Sequence, residues 1–452
     1  MTQSDPPGAS TFEPVYIFET ELSQPLPDLT ARHPHTGRPY RRAVTIARLY
    51  TRPVGMCFLD LDSAGHLPPE TLAQTLWAEL GADLNAHLTA QGYAPLHELP
   101  LTGILLTSPP ADVAARETFL ANHPPAVSVV IPTRERTDTL RACLDSLATV
   151  AYPPFEIIVV DNAPTTDATA TLVAQYPHVR YVREDRPGVS YARNRGMHEA
   201  TGEIIVRIDD DAVVDRYWLV ELIRGFSAAE NVACVNGLVF PLELETPAQL
   251  WFEQYGGFNR GFDQKIFDLD QHRPPSPFFP YTVGQVGTGA SMAVRKSALL
   301  EVGGSDPALG PGSLVRNGED IDVYFKLLKR GYQIVYQPTA LAYHLHRREY
   351  SRLQKQIHNY GVGFSAFVTK CLLTHPADIP GFLWRLPKGL WLMLSPTSVH
   401  NAKKDQSYPA ELRWLERQGL LKGTWFYFQS RAAVRRGEKI GGDFYTRVQE
   451  GK

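Results

Sequence analysis

Three consecutive carboxylates near the middle of the chain are the residues best suited to chemistry. Asp209, Asp210 and Asp211 directly follow residues 204–208, four of which are apolar and β-branched, a composition that predicts a buried strand. Side chains two apart on an extended chain point the same way, so Asp209 and Asp211 can converge on one point. Anions at the end of a buried strand need a counter-charge or water. A divalent cation completed by substrate phosphates meets that need, and a solvated acidic turn is the alternative.

The elements around these carboxylates predict an α/β fold. Apolar runs that predict strands alternate with segments of helical periodicity, and they lie at 127–131, 156–160, 179–182, 204–208, 232–240 and 332–336. Such alternation favours a mostly parallel sheet flanked by helices, with ligands at the carboxyl ends of the strands. The first two strands end in polar residues, as that rule expects.

Length and composition narrow the function classes. A chain of 452 residues predicts two or three domains. The net charge of −3 argues against broad binding of nucleic acid. Four widely spaced cysteines form no close pair, which argues against a zinc site or a disulfide framework and suits a reducing cytosol. We expect no signal peptide, because the N-terminus lacks a basic region followed by an apolar core. We expect no membrane-spanning helix, because no apolar run reaches about 18 residues.

Two further regions flank the alternating segment. Residues 1–122 predict a small α+β accessory module with a hairpin over 45–50 and 54–60, and the Pro-rich stretches 107–110 and 123–125 predict the linker zone. Residues 347–452 predict helices with two apolar, aromatic clusters at 382–386 and 390–394, which Pro387 is expected to separate. Basic residues from Arg431 to Lys439 follow. We expect this region either to lie on the inner face of the cytoplasmic membrane or to pack against the α/β domain, in both cases as part of a cytoplasmic protein.

From residue 123 to residue 346 the order of motifs resembles glycosyltransferase family 2, the inverting nucleotide-sugar transferases of the GT-A fold. Seven features carry the resemblance, and they are Pro132-Thr133-Arg134, Asp161, the segment 192–196, Asp209-Asp210-Asp211, the segment 287–295, Glu319-Asp320 and His344. Two departures stand beside them. Ser291 replaces an Asn of many relatives, and 304–306 reads Gly-Ser-Asp instead of Gly-Phe-Asp. Both are expected on the donor-sugar and acceptor side.

The resemblance implies a reaction and its residues. Asp320, with Glu319 beside it, would be the general base, and Asp209, Asp211 and His344 would hold Mg²⁺ or Mn²⁺. The donor, with a UDP-sugar favoured, would contact Pro132, Thr133, Arg134, Glu135, Asp161, Arg193, Arg195, Asp209 and Asp210. The acceptor would be a hydroxyl of a glycan or of a lipid-linked sugar.

Alternatives remain at this stage. Glu319 and Asp320 at a helix start could simply complement the helix dipole, and Arg193 and Arg195 could be solvated. A nucleotidyltransferase that makes nucleotide sugars would want a Gly-rich, Lys-containing loop after the first strand, where the chain instead reads Pro-Thr-Arg-Glu-Arg. The third alternative is a non-catalytic protein that binds sugar nucleotides.

Overall fold

The computed structural model describes residues 12–122, 124–395, 398, 401–404 and 407–438, so His123 and Lys439 lie outside the described residues. Its strands are β1 (Val15–Glu21), β2 (Leu29–Thr30), β3 (Arg42–Leu49), β4 (Arg52–Asp60), β5 (His66–Leu67), β6 (Val127–Thr133), β7 (Glu156–Asn162), β8 (Val179–Glu184), β9 (Ile204–Ile208), β10 (Ala212–Val214), β11 (Val232–Pro241), β12 (Lys265–Phe267), β13 (Ser291–Arg295) and β14 (Gln333–His344). Its helices are α1 (Pro69–Ala90), α2 (Ala111–Ala121), α3 (Thr137–Leu147), α4 (Ala168–Val173), α5 (Val189–Glu199), α6 (Trp218–Arg224), α7 (Pro247–Tyr255), α8 (Lys296–Glu301), α9 (Glu319–Lys329), α10 (Tyr350–Thr374), α11 (Ile379–Leu394) and α12 (Ala410–Arg435).

A central sheet carries the catalytic candidates. Its strands follow the order β10-β14-β11-β13-β9-β6-β7-β8, and β12 pairs with β14. Six strands run in one common direction, and they are β6, β7, β8, β9, β11 and β14. The pairs β6–β7, β7–β8, β6–β9 and β11–β14 are parallel, and β13 lies antiparallel to both β9 and β11. Apolar residues of α3, α4 and α6 cover one face and those of α5, α8 and α9 the other. The predicted α/β architecture with a mostly parallel sheet is confirmed.

The N-terminal residues form a separate small sheet of β1, β3 and β4, against which α1 packs. β3 and β4 are the antiparallel hairpin that the sequence predicts. This sheet contacts the central one directly: Arg48 forms a 2.8 Å salt bridge to Asp215, and the hydroxyl of Tyr343 donates to Glu19. The division of the chain at residues 122 and 346 stays a prediction.

The last strand is longer than the sequence predicts. The expectation of a strand ending at residue 336 is wrong, because β14 continues to His344 through an irregular step. Its register with β11 shifts between Gly237 and Leu238, where Gln337 and then Leu341 are the partners. Pro338 lies in this step. It has no backbone N–H to donate, and a bulge is where a sheet tolerates that loss.

The C-terminal region is helical, as predicted. The expectation that Pro387 interrupts the helix between the two aromatic clusters is wrong, because α11 runs through it. A proline removes one backbone donor and crowds the carbonyl four residues earlier, which kinks a helix without having to end it. Among the described residues, the structure contains no helix long and apolar enough to cross a membrane.

Candidate active site

The metal-ligand candidates meet where β9, β10 and β14 come together. The three aspartates form the turn from β9 to β10, closed by a 3.2 Å bond from the Ala212 N–H to the Asp209 carbonyl. β10 pairs antiparallel with β14, which sets Ala212 opposite His344. The His344 Nε2 atom therefore lies 3.2 Å from Asp211 Oδ1. One ligand atom each from Asp209, Asp211 and His344 falls within 4.8 Å of the other two.

These three side chains fit a divalent cation by their chemistry. Asp211 and His344 are buried, whereas the Asp209 side chain is 32% exposed and faces the cavity. Two carboxylates and one imidazole suit Mg²⁺ or Mn²⁺, with positions left for substrate oxygens.

Arg136 compensates the negative charges of Asp210 and Asp211, a role that the sequence did not predict. Its guanidinium lies 2.5 Å from Asp210 Oδ1 and 2.6 Å from Asp211 Oδ2, and the Thr133 hydroxyl donates to Asp210 Oδ2 over 2.7 Å. Burial raises the pKa of Asp210. Burial acts the same way on Asp211, but His344 and Arg136 outweigh it and hold the pKa of Asp211 well below its usual range. The sequence signal that could have identified Arg136 is its position three residues after Thr133.

Arg193 joins the metal-ligand candidates to the candidate base. This buried guanidinium contacts Asp209 Oδ1 at 3.0 Å and Glu319 Oε1 at 2.6 Å. Burial raises the pKa of Glu319, whose other carboxylate oxygen has no partner in the described chain. Gly289 passes close by, since a Cβ there would lie 3.3 Å from Arg193 Nη2 and 3.1 Å from Asp320 Cβ. A larger residue would crowd both groups.

Asp320 stands in the first turn of α9, half-buried at the cavity. Its Oδ2 atom accepts from the Gly289 N–H at 3.1 Å and its Oδ1 atom from the Ile321 N–H at 2.8 Å. Each oxygen keeps a second lone pair, so the carboxylate is held in place and still able to accept a proton. Glu319, in contrast, is paired with Arg193, so Asp320 is the better placed of the two for acid–base chemistry.

All of these groups line one cavity of about 1320 Å³. Ten of the predicted site residues lie on its wall, and they are Pro132, Thr133, Arg134, Arg193, Asp209, Asp210, Asp211, Glu319, Asp320 and His344. Residues of α10 also line the cavity, among them Arg352, Lys355 and Tyr360.

Three predicted donor contacts are not brought to this cavity. Glu135 is exposed and accepts hydrogen bonds from Thr165 and Thr166 of the neighbouring loop. Asp161 accepts from the Tyr181 hydroxyl at 2.9 Å, and burial raises its pKa. Arg195 points to solvent on α5, where it pairs with Glu199 at 2.8 Å because the two are one helical turn apart.

The two departures from the family pattern lie in the interior, so the expectation that they face the donor sugar and acceptor is wrong. Ser291 is fully buried, and its hydroxyl accepts from Trp218 Nε1 at 2.9 Å. The Ser305 hydroxyl accepts from Nη1 of Arg207 at 3.2 Å. Arg207 is 1% exposed, and its Nε and Nη2 atoms have no acceptor among the described residues. The hydroxyl of Ser305 therefore provides a hydrogen-bond acceptor for the buried Arg207, which the sequence pattern did not indicate.

The chain is similar to known glycosyltransferases. Residues 128–295 match the family model for Glycosyl transferase family 2. The chain is 25% identical over 232 residues to a pre-mycofactocin glycosyltransferase of Mycobacterium tuberculosis, covering 49% of this chain and 43% of that protein. It is 23% identical over 229 residues to a glucosyl-dolichyl phosphate glucuronosyltransferase of Haloferax volcanii, covering 48% of this chain and 68% of that protein.

Among solved structures, a mannosyltransferase from Pyrobaculum calidifontis in complex with GDP-Man and Mn²⁺ aligns with a TM-score of 0.41 and 18% identity, over 69% of this chain and 87% of that chain. The present chain spans less than half the length of the mycobacterial relative. The match to the Glycosyl transferase family 2 model covers residues 128–295 of the 452-residue chain.

Proposed function

We propose that the protein is an inverting glycosyltransferase that moves a sugar from a nucleoside diphosphate, UDP being favoured, to a hydroxyl of a glycan or lipid-linked acceptor. The observation that carries the proposal is the convergence of the metal-ligand candidates Asp209, Asp211 and His344 with Asp320 on one cavity wall of a family 2 domain.

The chain's own groups fit a single displacement. The acceptor oxygen forms a bond to the anomeric carbon while the bond from that carbon to the diphosphate oxygen breaks, and Asp320 takes the acceptor proton. A Mg²⁺ or Mn²⁺ ion on Asp209, Asp211 and His344 would neutralise the departing diphosphate. Arg193 keeps Asp209 in place, and its positive charge lies between the two halves of the site.

A panel experiment tests the reaction class. The protein is incubated with Mn²⁺, nucleotide sugars and a set of glycan and lipid-linked acceptors, and products are measured by mass spectrometry. We expect one nucleotide sugar to yield the free nucleoside diphosphate and an acceptor heavier by one sugar with inverted anomeric configuration. Formation of a nucleotide sugar from a sugar phosphate would favour a nucleotidyltransferase instead. Tight nucleotide-sugar binding without turnover would favour a non-catalytic binding protein.

We further propose that α11 rests on an anionic membrane surface. Trp384 is 87% exposed and Trp391 is 55% exposed, on a helix that contains no acidic residue. Arg385 and Lys388 are exposed beside them. Aromatic rings favour the headgroup region, and each nearby basic residue contributes about 1 kcal/mol toward anionic lipid.

Vesicle flotation tests this contact. We expect the protein to float with anionic vesicles at low salt, and the double variant Trp384→Ala/Trp391→Ala to float less without a change in melting temperature, because both rings are exposed. Trp218→Ala is unsuitable as a control, since that ring is fully buried; Trp414→Ala, exposed on α12, is the matched control. Failure of the unchanged protein to float would remove the membrane contact and favour a soluble acceptor.

A further inference from the structure

We infer that Glu253 and His346 are positioning residues, which fix the proton arrangement of His344 so that its Nε2 lone pair is offered to the cation. The inference rests on the proposed function, because it concerns the same metal-ligand candidates. It assigns a task to two residues that the proposed reaction does not use.

The three side chains form one line of hydrogen bonds away from the cavity. Glu253, on α7, lies with its Oε1 atom 2.8 Å from His346 Nε2. The Nδ1 atom of His346 lies 3.0 Å from the Nδ1 atom of His344. At the far end, His344 Nε2 is 3.2 Å from Asp211 Oδ1. Each ring nitrogen of both histidines therefore has one partner.

Aromatic rings shield this line from water. The His346 ring lies 4.6 Å from the ring of Phe252 and 5.8 Å from that of Phe258, and the latter is also 5.0 Å from His344. The side chain of His346 is 1% exposed. Buried ring nitrogens pay a penalty when they lack a partner, so the hydrogen bonds decide which proton arrangement is stable.

Only one proton arrangement is compatible with a cation on His344. A ligating imidazole offers the Nε2 lone pair, so its proton is on Nδ1 and must be donated to His346 Nδ1. The proton of neutral His346 is then on Nε2, where an ionised carboxylate, which can only accept, is the matching partner. Glu253 supplies that carboxylate. In the reverse arrangement a lone pair of His346 would face the anion and His344 Nε2 would carry a proton.

The test is a titration of the protein with Mn²⁺ alone, in which the electron paramagnetic resonance signal of the free ion measures how much Mn²⁺ is bound. We expect His346→Leu to weaken Mn²⁺ binding about 10- to 100-fold, the usual effect of losing the outer partner of a ligating histidine. His346→Gln should recover most of the affinity, because its amide oxygen can accept from His344 and its amide nitrogen can donate to Glu253. His375→Leu, a partly buried histidine at the end of α10, is the matched control and should bind as the unchanged protein does.

A double-mutant cycle separates positioning from general packing. Glu253→Ala should weaken Mn²⁺ binding when His346 is present and have no further effect in the His346→Leu background, because Glu253 acts only through that ring. Melting curves confirm that each variant is folded before titration. If the unchanged protein and His346→Leu bind Mn²⁺ equally, or if the two effects simply add, the inference fails while the metal role stands. If the unchanged protein binds no Mn²⁺, the proposed metal role fails and the inference with it.

Discussion

Asp320→Asn should remove turnover while leaving the donor site intact. The substitution keeps the shape of the side chain and one oxygen for the Gly289 or Ile321 N–H, but it cannot take up a proton at neutral pH. A positioned general base contributes about 10²- to 10⁴-fold to the rate, which corresponds to about 3–5 kcal/mol of activation free energy. Among the described residues Asp320 has no direct bond to Asp209, Asp211 or His344, so the affinity for UDP should stay within about twofold.

The assay is release of nucleoside diphosphate from the nucleotide sugar that the panel identifies, with UDP affinity measured in parallel by calorimetry. Asp322→Asn is the matched control, because it removes the same charge from the same helix turn. Asp322 is 1% exposed and pairs with Lys326 at 3.0 Å and Lys370 at 2.7 Å. Its loss should cost stability, by about 3–5 kcal/mol for a broken buried pair, and leave turnover per folded molecule unchanged. Near-normal turnover of Asp320→Asn would refute the assignment of the base.

Two further substitutions test the charge arrangement of the interior. Arg136→Met should lower the free energy of unfolding by roughly 1–3 kcal/mol, less than for a fully buried pair because the guanidinium is a third exposed. Mn²⁺ should restore part of this loss, because it replaces the positive charge beside Asp210 and Asp211. Urea denaturation measures both effects, and no recovery of stability on adding Mn²⁺ would contradict this prediction. Ser305→Ala should lower the free energy of unfolding by about 1.5–3 kcal/mol, because it removes the hydroxyl that accepts from Arg207. Ser305→Phe, which introduces the family's usual residue, should be no more stable than the unchanged protein. A stabilised Phe variant in the same denaturation assay would show that Arg207 finds another partner.

The place of Asp209, Asp210 and Asp211 in the fold was predictable because they follow a strand end directly. The position of Asp209 after a β-branched run and the parallel sheet depend on periodicity and on the common direction of the strands. His344 was indicated only by the resemblance, because the predicted last strand ended at residue 336 and the observed one ends at His344. The contact between Asp211 and His344 depends in addition on β10 turning back to pair with β14. No local pattern in the sequence specifies that pairing.

Other features depend on contacts between distant residues. Glu135 accepts hydrogen bonds from a loop thirty residues away, and Arg195 pairs with Glu199 on its own helix. Both therefore turn from the cavity, although the resemblance implied that they contact the donor. Arg207 sits within a strand that reads as apolar, and its burial with Ser305 follows from a contact 98 residues apart. Pro387 was expected to interrupt the helix, but α11 continues through it, because the loss of a single hydrogen bond does not end a long helix.

Calorimetry of UDP binding with and without Mn²⁺ tests the central claim most directly. Asp209 and Asp211 cannot approach two phosphates without a cation between them, so the unchanged protein should bind UDP more tightly with Mn²⁺ than with a chelator. Asp211→Asn, which alters one of the three candidate ligands, should lose that difference. Equal UDP affinity of the unchanged protein with Mn²⁺ and with a chelator present would contradict the account.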